Sequence, residues 1–217
     1  MKMTIHNSKA GSLVLRLIAK IQENKEYLSE IDGKIGDGDH GINMNKGFTL
    51  CRNKLEGKSY SLSEGLSVLS ATLMEEIGGS MGPLYGVFFE EMANAGEAEE
   101  EIDALVFEKM IAAALNGVQE VGSAQRGDKT LLDVLIPAKE SYCQALCEGR
   151  DFKEALELMK EASNAGWLAT KEMVAKLGRA SRLGERSRGV LDAGATSCNI
   201  IIQTMASFIQ DMLEFST

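Results

Sequence analysis

The feature that most constrains this chain is a helical spacing of apolar residues that proline hardly interrupts. Leu62, Leu66, Leu69, Leu73 and Ile77 stand 4, 3, 4 and 4 residues apart, which places them along one face of an α-helix. The rhythm recurs in Leu13, Leu17, Ile21, Leu28 and Ile31, from Met44 to Leu55, and in Leu84, Phe88 and Met92. Ile102, Leu105, Ile111 and Val118 continue it, as do Leu131, Leu135, Tyr142 and Leu146. Phe152–Leu177 and Ala195–Leu213 read as two long closing helices. Pro83 and Pro137 are the only prolines in 217 residues, so few positions forbid a helical amide. No stretch alternates with period two, and Ile200-Ile201-Ile202 lies inside a helical pattern. The expectation is one all-α domain over residues 1–217, with about eight helices packed antiparallel through short loops.

The net charge of −9 excludes nonspecific nucleic-acid binding, which needs a positive surface facing phosphates. No apolar run reaches the length of a membrane span. Arg16 and Lys20 break the apolar stretch after Leu13, so no secretory signal is expected and a cytoplasmic, reducing setting is. Cys143 and Cys147 are one helical turn apart with no His nearby, so they are expected to be small core residues rather than zinc ligands. His6 is expected to lie in a frayed terminus.

Four glycine-rich segments interrupt the helices: 32–41, 78–82, 122–130 and 178–194. A helix-to-helix turn needs only one or two glycines. Four such connections carrying charged residues suggest one site assembled from several loops.

In the first, Asp32, Asp37 and Asp39 fall where the chain leaves a helix. Packed together, three carboxylates repel unless a cation joins them, and an all-oxygen set suits magnesium, manganese or calcium rather than zinc. A solvated acidic turn is the alternative. Gly36-Asp-Gly-Asp-His-Gly41 fits the dinucleotide pattern G-x-G-x-x-G in letters only, because a helix rather than a strand precedes it. An EF-hand starting at Asp37 would put Phe48 at its twelfth position, so that reading fails too. His40 could contact phosphate or cap the following helix.

Gly78-Gly-Ser-Met-Gly-Pro83 ends one helix and starts another. Its free amides would suit an anion, although a plain turn explains the same residues. Gly127-Asp-Lys-Thr130 imitates the end of a P-loop but lacks the first glycine and the strand, and Thr130 reads as a helix N-cap. The last segment holds four arginines against one glutamate within residues 178–189. It is either a solvated basic loop or an anion-binding lid, and its length inside a compact helical domain favours the lid. Acidic ligands, an open helix N-terminus and a basic lid together equip a site for metal-assisted phosphoryl transfer.

With these residues in view, the chain resembles the L subunit of dihydroxyacetone kinases. The resemblance rests on Ile35-Gly-Asp-Gly-Asp-His-Gly41 with Asn43, Gly78-Gly-Ser-Met-Gly-Pro-Leu84 and Gly127-Asp-Lys-Thr130 with Asp133. It rests also on Gly178-Arg-Ala-Ser181 with Leu183-Gly-Glu-Arg-Ser187, and on Asp192-Ala-Gly-Ala-Thr-Ser197. It implies an eight-helix antiparallel up-and-down barrel with a nucleotide, ADP or ATP, at one end. It implies that Asp32, Asp37 and Asp39 bind two magnesium ions. His40, Gly41, Ile42, Asn43, Ser80 and Met81 would lie at the phosphates, and Gly122, Leu131 and Arg179 around the nucleoside. Asp192, Ala193 and Gly194 would close the site.

The family's ketose is held covalently on a separate K subunit. ADP commonly stays bound as a cofactor, rephosphorylated by a protein of the phosphotransferase system. No nucleic acid or membrane partner is implied. Four positions depart from the family pattern: Met81 replaces serine, Leu131 methionine, Arg182 tyrosine and Ala193 proline. Leu131 keeps volume and apolarity, whereas Arg182 and Ala193 alter the lid. Two other functions fit the residues: a nucleotide-loaded regulatory module without turnover, and a kinase subunit for another ketose such as erythrulose. A self-sufficient metal phosphohydrolase is the third.

Overall fold

The computed structural model describes residues 3–215. Among them nine α-helices follow one another: α1 Ser12–Glu23, α2 Lys25–Ile35, α3 His40–Leu55, α4 Leu62–Glu76, α5 Met81–Gly96, α6 Ala104–Val121, α7 Leu132–Cys147, α8 Phe152–Ala169 and α9 Ala193–Phe215. The expected eight become nine because Asn24 interrupts the first. Its backbone leaves the helical region (φ −99°, ψ 8°), and its side-chain amide donates to the Lys20 carbonyl at 2.8 Å.

From α2 onward each helix packs on the next, and α9 returns to pack on both α8 and α1. The circuit closes around one hydrophobic cluster, containing Leu66, Phe88, Phe107, Leu135 and Ile202. Sequence-local signals fix several ends. Ser61 with Glu64 and Asp151 with Glu154 form reciprocal capping boxes on α4 and α8, and Asp103 caps α6 through the amides of Leu105 and Val106.

Up-and-down packing has a consequence for function. The connections α2–α3, α4–α5, α6–α7 and α8–α9 must all emerge at one end of the barrel. They are the four glycine-rich segments. The opposite end is closed by a two-residue antiparallel pair, β1 Ile5–His6 with β2 Glu101–Ile102. Asn7 ties that pair down, since its amide nitrogen donates to Ser63 Oγ at 3.0 Å and to the Gly96 carbonyl at 2.9 Å. His6 is therefore paired in register with Glu101 rather than frayed.

Other expectations need correction. Helix α8 stops at Ala169, not Leu177, because the Thr170 hydroxyl donates to the Trp167 carbonyl and a short 3-10 turn follows. Cys147 is exposed and Cys143 half-buried, so only Cys51 and Cys198 behave as core cysteines. Among the described residues no helix is long and apolar enough to cross a membrane.

Candidate functional site

The glycine-rich end encloses a cavity of about 890 Å³, within the range of small-molecule sites. All four connections contribute walls, and of the residues expected to bind metal or nucleotide all line it except Gly41 and Ile42; Arg182 and Asp133 lie outside its lining.

The first wall is acidic. Asp32 lies in the last turn of α2, Asp37 in the loop, and Asp39 immediately before α3. One oxygen from each lies within 4.8 Å of the others. Carboxylates this close repel, and a divalent cation with oxygen preference removes the repulsion. The donor set therefore fits magnesium. Asp32 is held on the protein side, because Oδ2 accepts the His40 amide at 3.3 Å. A side chain at Gly36 would collide with the Asp32 carboxyl group, so glycine there lets the chain turn back beside that carboxylate. Gly41 serves differently: a Cβ would strike the Lys25 carbonyl and Ser29, so it lets α3 press against α2. Ile42 points outward and is 54% exposed.

His40 is buried, and burial pulls its imidazole pKa down to about 4, so the ring is neutral near pH 7. Its Nε2 lies 2.8 Å from Ser197 Oγ in α9. Tyr85 in α5 reaches the same hydroxyl at 2.5 Å and donates to the Gly194 carbonyl at 3.0 Å. No side chain caps α3; the imidazole braces α3 against α9 instead.

The second wall is the start of α5. Ser80 precedes the helix without a side-chain cap, and Met81 opens it, so the first amides face the cavity side with no intrahelical acceptor. The third wall is the loop before α7. Asp133 gathers it by accepting the Gly127 amide at 2.5 Å and the Thr130 amide at 2.8 Å. Thr130 is not the N-cap expected: α7 begins at Leu132, its N-cap is Leu131 with no side-chain cap, and the Thr130 hydroxyl, one residue earlier, accepts the Leu132 amide at 3.2 Å. Leu131 and Gly122 give this side an apolar surface.

The fourth wall is the segment 173–194. Arg179 crosses from it to form an ion pair with Asp37, which joins the basic segment to the acidic loop. At its end, Asp192 Oδ2 accepts the Ala195 amide at 2.7 Å. Burial pushes the Asp192 carboxyl up to about 7, against that amide and the nearby Lys129 ammonium, and with help from Asp133 and Asp32. Sequence reasoning assigned no role to Lys129, Tyr85 or Ser197. Lys129 and Ser197 fall inside motifs named above and Tyr85 just outside one, but each works through a partner far away in sequence, so no local pattern marks its role.

The sequence matches the family described as the DAK2 domain over residues 34–207. It is 40% identical over 191 residues to the PTS-dependent dihydroxyacetone kinase, ADP-binding subunit DhaL, of Lactococcus lactis, covering 88% of this chain and 91% of that one. It is 38% identical to the ADP-binding subunit DhaL of the PEP-dependent dihydroxyacetone kinase of Escherichia coli, covering 83% of this chain and 87% of that one. The crystal structure of the dihydroxyacetone kinase from C. freundii in complex with AMP-PNP and Mg2+ shares the fold. Its TM-score is 0.69 at 22% identity, over 95% of this chain and 35% of that one.

Proposed function

Because this chain belongs to the DAK2 domain family, we propose that it is the nucleotide-holding subunit of a dihydroxyacetone kinase, or of a kinase for a related ketose. As a single domain acting in the cytoplasm, it passes a phosphoryl group from bound nucleotide to a ketose held on a separate K subunit. ADP serves as a resident cofactor and is recharged by a phosphoryl-donor protein of the phosphotransferase system. The observation that carries this reading is the meeting of an acidic oxygen cluster, an uncapped helix N-terminus and a basic segment around one cavity.

In this reading Asp32, Asp37 and Asp39 hold two magnesium ions. Bound there, magnesium supplies the positive charge that neutralises phosphate oxygens. The chain does the positioning. Ser80 and the first amides of α5, at Met81 and Gly82, receive phosphate oxygens, and Met81 can do so because the amide, not the missing hydroxyl, is the donor. His40 and Asn43, with Gly41 and Ile42 in the same helical turn, border the phosphates. Arg179 exchanges Asp37 for phosphate, to which its planar fork is suited. Leu131 and Gly122 pack against the base, and Asp192, Ala193 and Gly194 close the far side.

Reconstitution tests the proposal. With a K subunit, a phosphodonor and dihydroxyacetone, ketose phosphate should form, and omitting either protein should stop it. Asp37→Ala should lose magnesium and nucleotide together. Retained ADP with no turnover in any such mixture would point instead to the regulatory module, and phosphate release from a small ester without partners to the phosphohydrolase.

A further inference from the structure

Lys129 is a buried lysine in an unusual position. It is 2% exposed and is the one non-glycine residue with positive φ (63°) among the described residues. Strained backbone persists only where the surroundings fix it, and a buried ammonium must have its donors satisfied. Both conditions are met by the lid. The Lys129 ammonium donates to the carbonyls of Met173 at 3.2 Å, Ser187 at 2.6 Å and Val190 at 2.6 Å. An ammonium has three N–H groups, so its capacity is used.

The three carbonyls come from both ends of the lid. Met173 stands where the chain enters it, and Ser187 and Val190 where it returns. Lesser bonds join the two strands of this neck. Ala175 donates its amide to Ser187 Oγ at 2.9 Å, and Gly189 donates its amide to the Lys171 carbonyl at 2.7 Å. Three carbonyl oxygens converging on one point repel unless a cation sits between them, and the tethered ammonium takes the place of a bound monovalent ion. Lys129 also lines the cavity beside Thr130 and Leu131, and the Asp192 carboxylate acts on it electrostatically.

We propose that Lys129 is a positioning residue, whose buried ammonium pins both ends of the basic lid to the cavity wall and so sets how long an anionic ligand is retained. Only the statement about the ligand rests on the nucleotide reading above. The pinning of the lid stands without it.

Lys129→Gly suits the left-handed backbone, so its effect reports the lost side chain rather than strain. In ligand-free protein, amide hydrogen exchange across residues 174–190 should quicken about tenfold or more while α4 stays protected. Added n-butylammonium, which replaces the four-carbon stem and its charge, should restore protection, and 1-butanol should not. With ADP and magnesium, the dissociation rate should rise about tenfold and fall again with n-butylammonium. If Lys129→Gly does not fold, Lys129→Met keeps the stem without the charge, and the same contrast between lid and α4 exchange applies. Unchanged lid exchange, or equal rescue by butanol, would overturn the proposal. Failure of the unsubstituted protein to bind ADP would sink the nucleotide reading while leaving the lid-exchange result to decide the role of Lys129.

Discussion

His40 Nε2 lies 2.8 Å from Ser197 Oγ, a buried hydrogen bond spanning 157 residues. It joins the helix that follows the acidic loop to the helix that ends the chain. Because Ser197 also hydrogen-bonds Tyr85, one hydroxyl braces three helices behind the Asp32, Asp37 and Asp39 carboxylates.

Ser197→Ala is expected to cost more than Tyr85→Phe. The first leaves a buried imidazole nitrogen without its partner, at about 1–3 kcal/mol. The second removes a hydroxyl whose acceptor, the Gly194 carbonyl, still receives the Ser197 hydroxyl at 3.1 Å. Denaturant unfolding of both variants checks the order, and equal losses would mean that the imidazole does not depend on Ser197.

Asp192 gives a pH dependence. Its carboxyl titrates near 7 in the fold, against 3.8 as the ordinary value. A folded value above the unfolded one means that the native state takes up the proton first, so stability falls as pH rises from about 4 through 7. Asp192→Asn keeps an acceptor for the Ala195 amide and removes the charge. It should stabilise by about 2 kcal/mol at pH 8, the shift being discounted for partial exposure, and by far less at pH 5. Urea titrations at the two pH values check this, and a gain independent of pH would contradict it.

Gly41→Ala tests the close approach of α3 to α2. The new methyl meets the Lys25 carbonyl and Ser29, and backbone on both sides limits relief. A loss of about 1–3 kcal/mol is expected, read as a Tm lowered by roughly 3–10 °C for a chain of this size. Ala in place of Gly78, where nothing lies within 4 Å of a Cβ, is the control and should change little.

Arg179→Gln separates binding from stability. Its ion pair with Asp37 is solvent-exposed on the arginine side, and such pairs contribute about 0–1 kcal/mol. Thermal stability should barely move, whereas ADP affinity should fall about tenfold or more, since guanidinium–phosphate bonds are charge-assisted. Calorimetry with ADP and magnesium checks the second half, and unaltered affinity would remove Arg179 from the site.

Much of this arrangement was legible in the sequence, for a physical reason. Apolar spacing gave the helices, and in an antiparallel up-and-down fold alternate connections share an end. The segments holding Asp37, Ser80, Leu131 and Arg179 had therefore to meet. What stayed hidden depends on tertiary partners. Helical spacing runs on past Ala169, but the chain there turns to build the lid neck, whose anchor is Lys129. Asn24 breaks the first helix through its own side chain, and asparagine occurs in helices often enough to give no warning. Cys147 carries apolar character but falls on the exposed side of α7. The brace between His40 and Ser197 could not be read, because nothing local pairs residues so far apart.

The most direct measurement is mass spectrometry of whatever the purified, unfolded protein releases. Intact ADP at close to one per chain, lost from Asp37→Ala, is the expected result. A chain that releases no nucleotide, and that shows no calorimetric binding of ADP with magnesium at millimolar concentration, would contradict the nucleotide-subunit reading.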